Sequence, residues 1–398
     1  MAALTDLMTT TVAEVPHPVF VLSYEQKNIT NDITPYVLNV TYTDYLSGQS
    51  DELEVTLEDA DGRWIRAWYP GKGDALTLKI GYAGLPLLPC GSFEIDEIEF
   101  AEPPATVTIR ALATGIRKSV RTRESRPFEN TTLAAIAQRI AKRNKLTLVG
   151  KIRDIHIDRV TQYQERDVAF LTRLGREYGY AFKIVGTKLV FTELADLRDG
   201  KAVATVKRTD LTSIRMRDKI KDVYQQAKGK YHDPKTKKLV VYGVQADGQV
   251  GVVGQSTAAA KKRSGHSASS DTLKLSSRGS KAAVQAKTKA ALDAANLQQT
   301  GGTVTLPGNP KLVAGSTFEL ADCGKLSGKY LVESARHRLD RGGGYVAELE
   351  VKRTALPVKA GGSGSTAKKT TGKTLKVYGM QSNGQVGVVG TSQASKKK

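Results

Sequence analysis

Between residues 17 and 113 apolar and polar positions alternate. The runs "PVFVLSY" (18–24), "YVLNVTYTD" (36–44), "DELEVTLED" (51–59), "DALTLKIGY" (74–82), "GSFEIDEIEF" (91–100) and "ATVTIRALA" (105–113) each keep a period of two. In the third, Leu53, Val55 and Leu57 point one way and Glu52, Glu54 and Glu58 the other. One face of each strand is therefore buried and one is wet. Six such runs, separated by turn signals such as "ADG", "PGKG" and "PP", predict a small closed barrel or sandwich.

After about residue 114 the period changes. "NTTLAAIAQRIAKRNKL" (130–146) sets Leu133, Ile136, Ala137 and Ile140 on one helical face, with Thr131 or Thr132 as cap and Lys142, Arg143 and Lys145 at the negative end. In 166–191, Asp167 is the expected N-cap of a second helix striped by Phe170, Leu171, Leu174 and Tyr178, and Gly179 ends it in a left-handed turn. "YAFKIV" and "KLVF" then flank Gly186-Thr187 as a hairpin. This section predicts a small α+β domain.

From about residue 200 strands return around interruptions. "SKAAVQAKTKAALDAANLQ" (280–298) predicts an Ala-rich helix capped by Ser280. The segment "PVKAGGSGSTAKKTTGKT" (357–374) has the composition of a flexible linker. Two stretches, Leu239–Ser256 and Leu375–Ser392, match at 13 of 18 positions without gaps. Each carries a turn pair at the same place, Asp247-Gly248 and Asn383-Gly384, and each predicts a hairpin with Tyr242 or Tyr378 on its first strand. The pattern leaves open whether these are peripheral hairpins copied by duplication or hairpins that bind and extend a sheet.

Composition adds charge to this picture. The 398 residues are 40% hydrophobic and 25% charged, ordinary for a globular protein, but 60 Lys and Arg against 40 Asp and Glu give a net charge of +20. Such a balance favours phosphate, nucleic acid or an acidic protein surface. Residues 354–398 hold eight lysines and no acid, so much of the excess is local. The basic runs at 261–263 and 396–398 lack interleaved aromatics, and no specific nucleic-acid partner is expected. Cys90 and Cys323 make neither a disulfide framework nor a zinc site, which fits reduced synthesis in the cytoplasm. The start lacks a basic region followed by an apolar core, and no apolar run approaches the roughly 20 residues that span a bilayer, so neither leader nor membrane partner is expected.

Candidate chemistry is sparse. "DADG" (59–62) lacks the further oxygen ligands of a calcium loop, and "TGKT" (371–374) lacks the glycine and strand of a phosphate loop. His17, His156, His232, His266 and His337 show no metal spacing, and His337 alternates like a structural strand residue. No nucleophile elbow occurs, and Asp96 and Glu97 fall on opposite strand faces. No catalytic constellation, cofactor or metal is expected. Trp64, Trp68 and Tyr69 in "GRWIRAWYPG" fit either an anchor between subunits or a plug at the barrel end.

Four segments carry a resemblance: "SGQSDELEVTLEDADGRWIRAWYPGKGDALTLKIGY" (47–82), "GSFEIDEIEFAEPP" (91–104), "RDVAFLTRLGREYGYAFKI" (166–184) and "LVAGSTFELADCGKLSGKYLVESARHRL" (312–339). They resemble the phage late control gene D proteins, the tail hubs of contractile phages, related to the hub part of type VI secretion spikes. The resemblance covers most of residues 15–353 and accounts for neither repeat copy. It implies a mainly β fold with an α+β insert. The expected division is a first β-barrel domain at 1–114, an α+β domain at 115–199, and a second β-barrel domain at 200–356. That second barrel is interrupted by the hairpin at 239–256 and a Lys/Ser-rich loop at 257–280. A linker and second hairpin occupy 357–398. The resemblance further implies a homotrimeric baseplate hub, assembled in the bacterial host cytoplasm, that joins a three-fold spike protein to six-fold tail tube or tube-initiator subunits. The tape measure protein is a further candidate partner. A cell-wall-degrading enzyme of the baseplate and a basic nucleic-acid-binding protein are the alternatives. The candidate interface residues are Trp64, Trp68, Tyr69, Tyr242, Asp247, Gly248, Tyr378, Asn383 and Gly384.

Overall fold

The computed structural model describes residues 16–113, 122–219, 223–224, 226–232, 239–245, 250–252, 272–276, 280–354, 375–380 and 386–392. The alternating runs form strands close to where the pattern puts them: β1 (Pro18–Tyr24), a short β2 (Lys27–Asn28), β3 (Val37–Tyr45), β4 (Glu52–Glu58), β5 (Ala75–Tyr82), β6 (Leu88–Ala101) and β7 (Thr106–Ala113). A four-residue helix, α1 (Thr30–Ile33), follows β2. The strands pair antiparallel in the order β3-β4-β7-β6-β5-β1. Leu53, Val55 and Leu57 are buried in one core with Phe93, Ile80 and Leu78, while Glu52 is exposed and Glu54, Thr56 and Glu58 are half-buried. Among the described residues β1 and β3 do not pair, so the hydrogen-bonded path stays open; Ile33 of α1 and Trp64 are buried in the same core.

The middle section opens with β8 (Arg123–Thr132), α2 (Leu133–Arg143), β9 (Thr147–Val149) and β10 (His156–Arg166), and continues with α3 (Asp167–Tyr178), β11 (Tyr180–Val185), β12 (Lys188–Glu193) and α4 (Leu194–Asp199). Thr132 caps α2 by accepting from the Ala135 N–H at 3.2 Å. Gly179 ends α3 at φ +80°, and Val185 pairs with Lys188 across the Gly186-Thr187 turn. Asp167 is not a cap. The N-cap position is Arg166, and the Asp167 carboxylate is buried and accepts from Asn144 Nδ2 (2.8 Å), Gln162 Nε2 (2.8 Å) and Arg143. Those donors outweigh its burial and hold its pKa below the ordinary value. A side chain that finds three partners across the domain has no reason to turn back on its own helix.

The next strands are β13 (Thr205–Lys207), β14 (Ser213–Asp218), β15 (Gln226–His232), β16 (Leu239–Gln245), β17 (Val250–Val252) and β18 (Thr272–Ser276). Helix α5 (Lys281–Leu297) comes next, capped by Ser280, and then β19 (Thr300–Pro307), β20 (Thr317–Ala321), β21 (Gly328–Asp340) and β22 (Gly344–Arg353). The second set pairs in the order β14-β19-β22-β21-β20. That repeats the order β3-β4-β7-β6-β5 of the first set, strand for strand. Each set also carries a bulge at the same place, Asp96 between Ile95 and Glu97 on β6 and Glu333 between Val332 and Ser334 on β21. The sets join where β21 pairs antiparallel with β3, His337 opposite Tyr42.

The first repeat copy lies apart from this large sheet, in a four-stranded sheet of order β17-β16-β15-β18. Helix α5 packs between that sheet and the middle section. Ala283 and Ala286 join the core of the middle section, and Leu292 meets Ala227 and Val244. Residues 358–398 form a second compact unit, in which β23 (Leu375–Met380) pairs antiparallel with β24 (Val386–Ser392).

Candidate functional site

The junction between the strand sets holds a buried polar cluster. The Lys183 ammonium, on β11, contacts Asp44 on β3 and lies 2.8 Å from Asp51 Oδ2. The side chains of all three are largely buried. Asp44 Oδ2 also accepts from the Ala314 N–H at 2.9 Å, just before β20, and Asp51 Oδ1 from the Tyr45 N–H at 3.0 Å. Three chain regions thus meet on one cation. Burial works against the charge on Lys183, but the two aspartates outweigh it and raise its pKa. Burial and the neighbouring Asp44 push Asp51 up to about 6 although Lys183 opposes them. Removing the lysine would leave two buried carboxylates without a counterion, the costly way to break such a cluster.

Beside it, His337 is fully buried between two tyrosines. It stacks on Tyr42 with ring centroids 6.2 Å apart; its Nδ1 lies 2.8 Å from the Tyr345 hydroxyl and its Nε2 3.1 Å from the Leu312 carbonyl. Burial lowers its pKa to about 4. At the same seam Arg341 Nη1 reaches Glu58 (2.9 Å), and its Nε and Nη2 donate to the Val37 (3.0 Å) and Pro35 (2.6 Å) carbonyls. Here the structure realises the structural role expected of His337.

At the far end of the first set the aromatic segment divides. Trp64 is buried in the core, its backbone N–H held by Asp59 Oδ1 at 2.9 Å, whereas Trp68 and Tyr69 are 41% and 53% exposed. Tyr36, Trp64 and Trp68 meet edge to face, and the Arg63 guanidinium lies 4.1 Å above the Tyr36 ring. Trp64 is thus part of the core, and Trp68 and Tyr69 are exposed. An apolar hollow of about 410 Å³ runs beneath them to Leu76 and Ile109. A wider cleft of about 910 Å³ lies between Leu85–Pro89 and Leu306–Lys311.

The two repeat copies take the same register: Tyr242 opposite Val252 and Val244 opposite Val250 in the first, Tyr378 opposite Val388 and Met380 opposite Val386 in the second. Tyr242 is buried, with Lys281 of α5 over its ring, so it fastens the hairpin to the body of the chain. Asp247, Gly248, Asn383 and Gly384 lie outside the described residues. Among the described residues no group of three or more His, Cys, Asp or Glu is placed to hold a metal ion, and no helix is long and apolar enough to cross a membrane. Cys90 is buried beside the junction, where burial raises its thiol pKa far above the ordinary value.

The chain is similar to known proteins in sequence and in fold. The chain is 34% identical over 199 residues to the probable baseplate hub protein of Escherichia phage 186, and 32% identical over 211 residues to that of Escherichia phage P2. Those alignments cover 48% and 52% of this chain and 50% and 54% of the relatives, so the chain spans about half the length of the curated relatives it matches. The fold is that of the 43 kDa tail protein of prophage MuSo2 from Shewanella oneidensis, at a TM-score of 0.60 and 14% identity over 85% of this chain and 98% of that one. A tail protein from Neisseria meningitidis MC58 superposes equally well, at a TM-score of 0.60 and 12% identity, over 85% and 97% of the two chains. The family model for the phage tail baseplate hub (GPD) matches residues 110–343, more than half of the chain. The chain belongs to the phage tail baseplate hub family.

Proposed function

We propose that this chain is the structural hub of a contractile phage tail baseplate or a phage-tail-like particle, and that three copies adapt a three-fold spike to a six-fold tail tube. Family membership supports the hub role. The observation that carries the adapter role is the repeated strand order, β3-β4-β7-β6-β5 followed by β14-β19-β22-β21-β20, with its bulge at equivalent sites. One chain holds two similar strand sets edge to edge, so three chains offer six. On this reading residues 1–114 and 200–356 act as barrel-type domains, 115–199 is the insert that braces their junction through Lys183, and the unit after 357 carries a second copy of an attachment hairpin. The hub acts without catalysis, assembles in the host cytoplasm, and meets the spike on one side and tube-initiating subunits on the other. The test is the mass of the purified full chain by light scattering, alone and with the spike protein. A mass of three chains that captures the spike is expected; a chain that stays monomeric in both settings, or settles at another closed number, would falsify the adapter reading.

A further inference from the structure

Two of the strand edges of the large sheet that have no partner among the described residues match each other. One is β14, the last strand at its end of the sheet. The other is the second half of β6. Its first half pairs with β5, and Gly73 N–H and Asp74 O continue that cover on Ile95, but Glu97–Ala101 pair only with β7. The repeated order says what these edges are. β6 corresponds to β21, whose second half is the half that pairs with β3, and β3 corresponds to β14. The chain therefore makes this joint once internally, β21 to β3, and holds both halves of the same joint open at its two ends.

We infer that β6 of one copy pairs antiparallel with β14 of a second copy, in the register of the internal joint; this rests on the trimeric reading above. The shared bulge fixes the register. Aligning Ile95 with Val332 and Glu97 with Ser334, and following the ladder across β7/β22 and β4/β19, sets Arg215 equivalent to Thr41. Because Arg338 faces Thr41 within the chain, Ala101 faces Arg215 between chains. The neighbouring pairs follow: Phe100 with Met216, Glu99 with Arg217, Ile98 with Asp218 and Glu97 with Lys219.

The side chains fit that register. On the wet face both opposed pairs are acid against base. Arg110 contacts Glu97 at 3.2 Å and Glu99 at 3.3 Å but must also serve Glu54, so the β6 edge keeps negative charge. Arg215, Arg217 and Lys219 line one hollow and have no ion-pair partner among the described residues. On the other face Phe100, 44% exposed, meets Met216, a favourable sulfur–aromatic pairing, in the place where the internal joint buries the His337–Tyr42 stack. Asp218, opposite Ile98, is already engaged by the Thr300 hydroxyl at 2.8 Å. The two edges differ, so the contact is head to tail, the kind that forms a ring when the rotation between copies closes. It also covers two edges that would otherwise invite uncontrolled pairing.

The test uses the full chain. In a Cys323→Ser background, which leaves only the buried Cys90, the pair Glu99→Cys with Arg217→Cys should give covalent trimers on mild oxidation, absent from the background protein and from either single variant. Reversing one edge, Glu97→Lys with Glu99→Lys, should weaken assembly by about tenfold or more, because each attraction becomes a repulsion across directly opposed positions. Adding Arg217→Glu and Lys219→Glu should restore it. Trimers that form, resist the reversal and give no cross-link overturn this pairing and leave the trimeric reading standing. Chains that remain monomeric under every condition overturn both.

Discussion

His337 is buried where the charge of Asp44 only partly offsets the loss of water around a protonated ring, and that placement has a pH consequence. Its folded pKa of about 4 lies below the ordinary value of 6.5. Below pH 6.5 the unfolded chain takes up a proton there and the folded chain does not, so the contribution is full above 6.5 and is lost as pH falls towards 4. The shift corresponds to roughly 3 kcal/mol. Replacing His337 with Gln should lower stability near neutrality by about 1–2 kcal/mol, through poorer bonds to Leu312 and Tyr345. It should also flatten the fall in urea midpoint between pH 6.5 and 4. A variant with the wild-type slope would assign the acid sensitivity to other groups. Asp51 has the opposite sign: its raised pKa favours the folded state below about 4, and that contribution fades as pH rises to 6.

Helix α5 shows how element packing escapes the sequence. Its ends, its Ser280 cap and its Ala-rich face are all legible, because they depend on near neighbours. Its partners are not: nothing in the order of residues says that it leaves the flanking strands and seats between the middle section and the four-stranded sheet. The contact relies on glycines. A Cβ at Gly229 of β15 would lie 2.1 Å from Thr288 Oγ1 and 3.1 Å from Val284 Cγ1. Both neighbours are fully buried on α5, and Thr288 is further tied to the Val284 carbonyl at 2.7 Å. Gly229→Ala should therefore lift the helix from the sheet and cost about 1–3 kcal/mol, the usual range for overpacking. Hydrogen exchange should quicken in 281–297 and 226–232 while β3, β4 and β7 keep their protection. Unchanged exchange in α5 would mean that the helix can shift without loss. Asp167 is the parallel case among single residues. Its position at a helix start reads as a cap, and only the fold reveals Arg143, Asn144 and Gln162 around it.

At the scale of the whole molecule, alternation made both strand sets readable, but not their kinship, because dissimilar residues fill equivalent positions: Thr41 and Arg215, Phe100 and His337. The duplicated hairpin is the reverse case, obvious in the sequence and silent about place. The structure separates its two copies. The first is completed by β15, β18 and α5, whereas β23 and β24 pair only with each other among the described residues. A two-stranded hairpin by itself is marginal in water and needs a further strand or a packed face. If the copies are equivalent attachment elements, the second finds that support on a neighbour in the particle. The eight lysines of 354–398 would favour a neighbour with an acidic surface. Because 1–357 and 358–398 are two compact units, removing Leu375–Lys398 should leave the mass and thermal unfolding of the proposed trimer unaltered. The effect should appear one step later. Baseplates carrying the truncated hub should keep their spike and lose most of their attached tubes when counted by electron microscopy. Full tube occupancy would show that the second hairpin is dispensable for attachment, and six-fold matching would then rest on the strand sets alone.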